Sequence, residues 1–276
     1  MSDINNMQTS MNEERIPYEE LLDGSIPPWI RRFVKKTGKT VNEFGMIKDK
    51  DTVLLSISGG KDSLALALAL SLRRKWLPIN YNLRAIMINW IEHPISEDAK
   101  KELHKFFDKL DIDLLIVDEP QYSISFKGEF NCYLCSRNRR RIIFNYARDN
   151  NIRLIAMGHH LDDLVETTLI NTCFRGKFST MLPIQEFFDG SIHIIRPMIE
   201  IRETVVKRIA TTYSLPFVKP VCPYDQTNIR SRLKPIIREL SHIDNLTREH
   251  VFKSHDFSYR IPRDENGKII FTPKSE

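Results

Sequence analysis

Short apolar runs alternate with longer amphipathic stretches along most of the chain. The runs are "TVLLSIS" (52–58), "LRAIMINW" (83–90), "IDLLIVD" (112–118), "IRLIAMG" (152–158) and "IHIIRPM" (192–198). Each is short and rich in Ile, Leu and Val, which predicts a strand. Between them lie helix-period stretches near 62–75, 96–110, 135–150, 161–174 and 202–213. Strands alternating with helices of this length build βαβ units. The pattern therefore predicts an α/β fold, with a twisted, mostly parallel sheet of about five strands and helices on both faces. In such a sheet ligands gather at the carboxyl ends of the strands, so chemistry is expected just after the apolar runs.

Ahead of the first strand, "WIRRFVKKTGKTVNEFGMI" mixes apolar and basic positions and predicts a helix. Residues 1–28 are polar, end at Pro27-Pro28 and are expected to be a mobile lead-in. Residues 29–243 carry the alternation and are expected to form one domain, and 244–276 are expected to be a weakly ordered polar tail. The longest apolar run, Leu64–Leu70, is too short to cross a bilayer. The first residues lack a signal-peptide core, so no membrane association and a cytoplasmic location are the expectation. The net charge of +5 over 276 residues permits a polyanionic partner without demanding one.

The first strand runs straight into Ser58-Gly59-Gly60-Lys61-Asp62-Ser63 and then a helix. Adjacent glycines let backbone approach a ligand closely, and the amides at the helix start favour an anion there. Lys61 adds a compact positive charge, and Ser58 and Ser63 add hydroxyl donors. Together these make a phosphate cradle. Neither the Gly-x-x-x-x-Gly-Lys spacing nor Gly-x-Gly-x-x-Gly is present. The blander reading is a Gly-Gly turn with Asp62 capping the helix.

After the fourth strand, Gly158 offers close backbone approach to a ligand. His159, His160, Asp162 and Asp163 follow it at the start of a helix. This set can bind a metal or position a metal-bound anionic ligand, or it can be helix capping beside two surface histidines.

"FNCYLCSRNRRR" (130–141) places Cys132 and Cys135 with two residues between them, ahead of Arg137, Arg139, Arg140 and Arg141. One close pair, with Cys173 and Cys222 isolated downstream, is not the two-pair pattern of a closed zinc site. A thioredoxin-like couple belongs near the fold's first helix. Two ordinary buried cysteines remain a reading, and so does an iron–sulfur cluster whose negative charge the arginines offset. Cys173, inside the helix after the His-His pair, reads as a core residue.

Ser58 to Ser63 resembles the signature of the PP-loop ATP pyrophosphatase superfamily. "GHHLDD", "FRGKFSTMLP" and "IIRPM", with "VNEFGMIKDKDTVLLSISGGKDS" and "CYLCSRNRRR" upstream, resemble the tRNA 2-thiocytidine synthetases (tRNA cytidine 2-sulfurtransferases) over about residues 30–240. The resemblance implies a Rossmann-like fold of the adenine nucleotide alpha hydrolase type. It implies ATP and Mg²⁺ held by Ser58, Gly59, Gly60, Lys61, Asp62, Ser63, Met87, Gly158 and Asp163, with Asp163, Asp62 and Lys61 as catalytic residues. Asp162 stands second to Asp163. A [4Fe–4S] cluster on Cys132, Cys135 and Cys222 is implied, leaving one iron open to carry sulfur. So are a tRNA substrate modified at a cytidine of the anticodon loop (position 32), a cysteine desulfurase or another sulfur donor, and a homodimer. Arg137 and Arg139 are expected near phosphate charge or tRNA, with further basic groups at 31–36, 73–75, 202–208 and 230–234. Thiolation of a tRNA uridine, a lysidine-type ligase and a metal-stapled RNA-binding module are the competing readings.

Overall fold

The computed structural model describes residues 16–24, 26–76, 78–122, 131–218 and 229–255. Its elements in chain order are α1 (Glu20–Asp23), α2 (Pro28–Glu43), β1 (Thr52–Ile57), α3 (Lys61–Arg74), β2 (Asn82–Trp90), α4 (Glu97–Lys109) and β3 (Asp113–Glu119). These are followed by α5 (Cys132–Asp149), β4 (Leu154–Met157), α6 (Leu161–Arg175), β5 (Ile184–Phe187), β6 (Ile192–Ile195), α7 (Glu203–Thr212), α8 (Ile229–Ile243) and α9 (Thr247–Lys253). Six strands form one sheet in the order β3-β2-β1-β4-β6-β5, parallel except where β5 pairs antiparallel with β6.

Alternation along each strand sends side chains to two cores. Val53, Leu55 and Ile57 of β1, with Ala85 and Met87 of β2, join a large cluster that also holds side chains of α2, α3, α4, α6 and α7. Leu54, Ile86, Ile88 and Ile155 face a smaller cluster built on Ile143, Phe144 and Ala147 of α5. Helix α3 is apolar nearly all round, with Leu64 through Leu72 buried, because the sheet lies on one side and α2 and α7 on the other. Pro28 opens α2 at a position where a missing N–H costs nothing, and its apolar stripe Ile30, Phe33, Val34, Thr37 and Val41 is buried.

The five predicted strands are all present, and the sixth is a correction. Ile184–Phe187 is a short edge strand whose hairpin turns through Phe188, Asp189 and Gly190, all at positive φ. The Asp-Gly turn was its signal in the sequence. The two ends differ from expectation as well. Tyr18 and Leu21, in the stretch expected to be a lead-in, are 8% and 2% exposed. The start of the expected tail forms α9 against α6, where His255 is buried and bonds Thr168 Oγ1 at 3.1 Å.

From β1 the chain steps outward through β2 to β3, then returns across the sheet to place β4 on the other side of β1. The order therefore reverses between β1 and β4, which is where a doubly wound sheet opens its crevice.

Candidate active site

Because α3, α5 and α6 each leave a parallel strand at its carboxyl end, their N-termini share one edge of the sheet. A cleft of about 330 Å³ opens there. Ser58, Asp62 and Ser63 from the β1–α3 turn line it, with Gly158, His159 and Asp163 from the β4–α6 turn. Cys135, Ser136, Arg139 and Arg140 of α5 complete it. Three sequence blocks separated by dozens of residues thus meet in one cavity.

The β1–α3 loop is folded on its own serines. Ser63 Oγ donates to the Gly60 carbonyl at 2.9 Å, and the Gly60 amide donates to Ser58 Oγ at 3.3 Å. Ser58 and Ser63 hydroxyls lie 3.3 Å apart. Gly60 is the N-cap of α3 and no side chain caps the helix, so the capping reading of Asp62 fails. The uncapped start keeps the helix's positive end available to an anion.

Lys61 does not line the cleft. Its Nζ sits 2.9 Å from Asp62 Oδ1 and 3.1 Å from Glu203 Oε1. Burial works against its charge, but the hydrogen bonds and charges of Asp62 and Glu203 prevail and raise its pKa. Met87 packs beside Gly59 and does not line the cleft either. A Cβ on Gly59, which has φ +79°, would lie 3.1 Å from Met87 Cε. At Gly158 the close approach is to protein: a Cβ there would sit 2.9 Å from the Asp62 carbonyl group and the Ser63 amide. This glycine presses the β4–α6 turn onto the start of α3.

The two histidines differ. His160 caps α6 in a capping box with Asp163, and its Nε2 lies 3.6 Å from Asp62 Oδ1. His159 receives Arg196 Nε on its Nδ1 at 3.3 Å, so in the neutral ring Nε2 carries the proton. Burial, then the charges of Arg196 and Arg230, push the His159 pKa down to about 3. Arg196 is fixed in turn by the Gln185 side chain and the Leu182 carbonyl. Asp162 turns away from the cleft: Oδ2 accepts the Glu203 amide and Oδ1 pairs with Arg248. The four residues of the His-His-Leu-Asp-Asp stretch therefore do not converge on a metal, and among the described residues no three His, Cys, Asp or Glu side chains do.

The cysteine pair lies within α5, which starts ahead of the periodic stretch that predicts it. Asn131 caps α5 by accepting the Leu134 amide at 3.1 Å, and Cys132 is the first helical residue. Three residues apart in one turn, the two thiols share a face, at the helix end that favours thiolate. Gln121 Nε2 is 3.4 Å from Cys135 Sγ. Arg139 and Arg140 line the cleft and exposed Arg137 does not; Arg139 stacks 5.5 Å over Trp90. Cys173 is exposed and is not a core residue. Cys222 lies outside the described residues. Glu203, Glu166 and Arg196 are site residues that motif reading missed, while Arg140 and Arg230 belong to basic groups that the sequence already singled out. Only the tertiary fold brings α7, β6 and α8 to this edge.

A family profile described as a PP-loop domain matches residues 30–240. A tRNA-cytidine(32) 2-sulfurtransferase of Paraburkholderia phymatum is 33% identical over 214 residues, covering 76% of this chain and 63% of that protein. The chain thus spans less than two thirds of that relative. The protein of the same name from Marinobacter nauticus is 31% identical over 214 residues, covering 76% of this chain and 69% of the relative. Among solved structures, the U34-tRNA thiolase NcsA from Methanococcus maripaludis, with its [4Fe–4S] cluster, aligns with a TM-score of 0.67 at 26% identity. The alignment covers 82% of this chain and 77% of that one.

Proposed function

We propose that this chain, which belongs to the PP-loop family and within it to the tRNA-cytidine(32) 2-sulfurtransferases, uses ATP to replace the C2 oxygen of a tRNA cytidine with sulfur. One observation carries the reading: Cys135, the Ser58–Ser63 loop and Asp163 line the same cleft. An ATP-using ligase with no sulfur chemistry has no need of thiols at its phosphate loop.

Both described thiols suit a [4Fe–4S] cluster, since they occupy one helical turn beside Arg139 and Arg140, whose charge offsets a thiolate-ligated centre. Cys132, Cys135 and Cys222 would hold it. The described ends of the segment carrying Cys222 meet the cleft: the Val218 amide donates to the Gly59 carbonyl at 2.8 Å, and Arg230 Nη1 lies 3.8 Å from Asp163. When bound, the cluster supplies an iron without a protein thiolate, where sulfur is presented for transfer.

The residues' own work follows from their positions. The amides of Gly60 through Ser63 hold the pyrophosphate end of ATP, and Lys61 exchanges a carboxylate for phosphate. Asp62 and Asp163 would hold the Mg²⁺ that accompanies the nucleotide, which would offset phosphate charge there. The cytidine O2 attacks the α-phosphorus and pyrophosphate leaves. Arg140 and His159 line the cleft where phosphate charge develops. Sulfur at the oxidation level of sulfide then adds at C2, and AMP departs with the oxygen. Gly158 and Met87 shape the nucleotide pocket from behind. A tRNA partner, a cysteine desulfurase or other sulfur donor, a homodimer, a cytoplasmic setting and the 29–243 boundaries complete the proposal.

The likeness to a U34 thiolase favours one second reading, thiolation of a uridine. Anaerobic incubation with ATP, sulfide and tRNA, then digestion to nucleosides and mass spectrometry, separates them. 2-Thiocytidine is expected, and 2-thiouridine or lysidine overturns the assignment.

A further inference from the structure

Helix α2 carries Arg31, Arg32, Lys35, Lys36 and Lys39 exposed on one face, opposite the stripe it buries. Among the described residues none of the five forms an ion pair. From Arg31 to Lys39 this ridge runs about 12 Å along a helix about 24 Å long. It ends at each side in a pocket that adds more positive charge.

The first pocket, of about 320 Å³, joins Arg32 and Lys36 to Arg208, whose guanidinium lies 4.4 Å over the Trp29 ring. Glu249, its one acid, is already held by Arg202 at 2.7 Å. Arg202 adjoins Glu203, the partner of Lys61, so this end reaches the catalytic edge.

The second pocket, of about 740 Å³, lies at the far end of α3 and joins Lys35 and Lys39 to Arg73 and Trp76. Arg73 is 3% exposed and, among the described residues, pairs with no carboxylate. Its Nη2 donates to Asn42 at 2.7 Å, while Nε and Nη1 have no hydrogen-bond partner. The nearest aromatic ring, Tyr81, has its centre 5.9 Å from the guanidinium carbon and brings no negative charge. Gly38 makes room for it: a Cβ there would meet Arg73 Nε at 3.0 Å. A buried guanidinium with no counter-charge is costly unless an anion comes to it. Among the described residues Glu43 is the sole acid on the rim. Trp76, 42% exposed, covers one wall.

We propose that α2 is a rail for an RNA phosphate backbone, running from the Arg73 pocket to the Arg32–Arg208 pocket and so delivering the reactive nucleotide to the cleft. The inference rests on the tRNA reading above and adds the surface that holds the body of the substrate. Spaced cations without paired acids suit a regular polyanion, and such binding releases counterions and weakens steeply with salt.

The test uses the full chain and fluorescently labelled tRNA, titrated across a salt series. The double variants are Lys35→Glu with Lys39→Glu, and Arg32→Glu with Lys36→Glu. Each is expected to weaken tRNA at least tenfold near 0.1 M salt. Each should also flatten the plot of log affinity against log salt by about 0.7–0.9 for every phosphate no longer neutralised. Melting temperature and ATP affinity should stay at the parent's values, because the changed side chains are exposed and lie away from the cleft. Affinity and slope within twofold of the parent in both variants overturn the rail, whether or not the parent binds anionic phospholipid vesicles. If the parent forms 2-thiocytidine while the variants bind tRNA unchanged, the rail falls and the chemistry stands. If the variants lose tRNA while the parent forms no 2-thiocytidine, the rail stands and the chemistry falls.

Discussion

Asp163 and His160 cap each other across the first turn of α6: the His160 amide donates to Asp163 Oδ2 at 2.9 Å, and the Asp163 amide returns a bond to His160 Nδ1 at 3.4 Å. The carboxylate proposed to work on the nucleotide thus also holds its own helix in place. The two roles separate by substitution. Asp163→Asn keeps an accepting oxygen and should melt near the parent while thiolation falls at least a hundredfold. Asp163→Ala should lose activity and also about 0.5–2 kcal/mol of stability, the usual range for a lost cap. Thermal melts beside single-turnover thiolation check both.

Glu166 is 3% exposed, and burial pushes its pKa from 4.5 up to about 7, with Lys234 at 3.9 Å opposing the shift. A carboxyl held above its unfolded value keeps its proton in the folded state. Its contribution is therefore fully present below pH 4.5 and is lost as pH rises through 7. Glu166→Gln should change the melting temperature little at pH 4.5 and raise it at pH 8. An equal shift at both values would count against the buried acid.

His159 runs the other way. With its pKa depressed to about 3, it stays neutral in the folded state while the unfolded ring takes a proton below about 6.5. That contribution is present above pH 6.5 and fades as pH falls toward 3. His159→Gln should flatten the acid side of the stability profile, measured by urea unfolding from pH 4 to 7. The thiolation pH profile of the parent should contain no His159 titration between pH 5 and 8.

The glycine contacts make a pair of graded predictions. Gly158→Ala puts a methyl 2.9 Å from three backbone atoms of Asp62 and Ser63, which have no rotamer to escape into. ATP affinity should fall at least tenfold with a lowered melting temperature. Gly59→Ala strains a left-handed turn against the flexible end of Met87. It should weaken ATP with a smaller loss of stability, and Gly59→Ala with Met87→Ala should recover none of the backbone strain.

The thiols divide on position. Cys135→Ser, made and purified without oxygen, should lose stoichiometric iron and sulfide and their visible absorbance. Exposed Cys173 lines no part of the cleft, and Cys173→Ser should retain both.

How far the sequence was legible depends on the range of the interaction. Strands and helices followed from local alternation, and the loops after β1 and β4 followed because parallel topology puts strand ends together. What stayed hidden was long-range. Lys61 pairs with Glu203 of α7, and His159 leans on Arg196 beyond β6, neither of which any spacing announces. On α5 the Arg-rich run was visible, but the helix phase, fixed by the Asn131 cap, decides that Arg139 and Arg140 enter the cleft and Arg137 does not. Polarity misled after 244, and a place inside a helix misled at position 173, since neither says where a partner helix lies.

Asp162 carries a last consequence. Its one carboxylate receives the first amide of α7 and the guanidinium of Arg248 on α9, directly behind the phosphate loop. A shortened protein ending at 243, where the polar character of the sequence invites a cut, would take Arg248 from that carboxylate and open it to water. The nucleotide edge is thus buttressed from the far end of the chain, and a minimal catalytic fragment has to reach at least to α9.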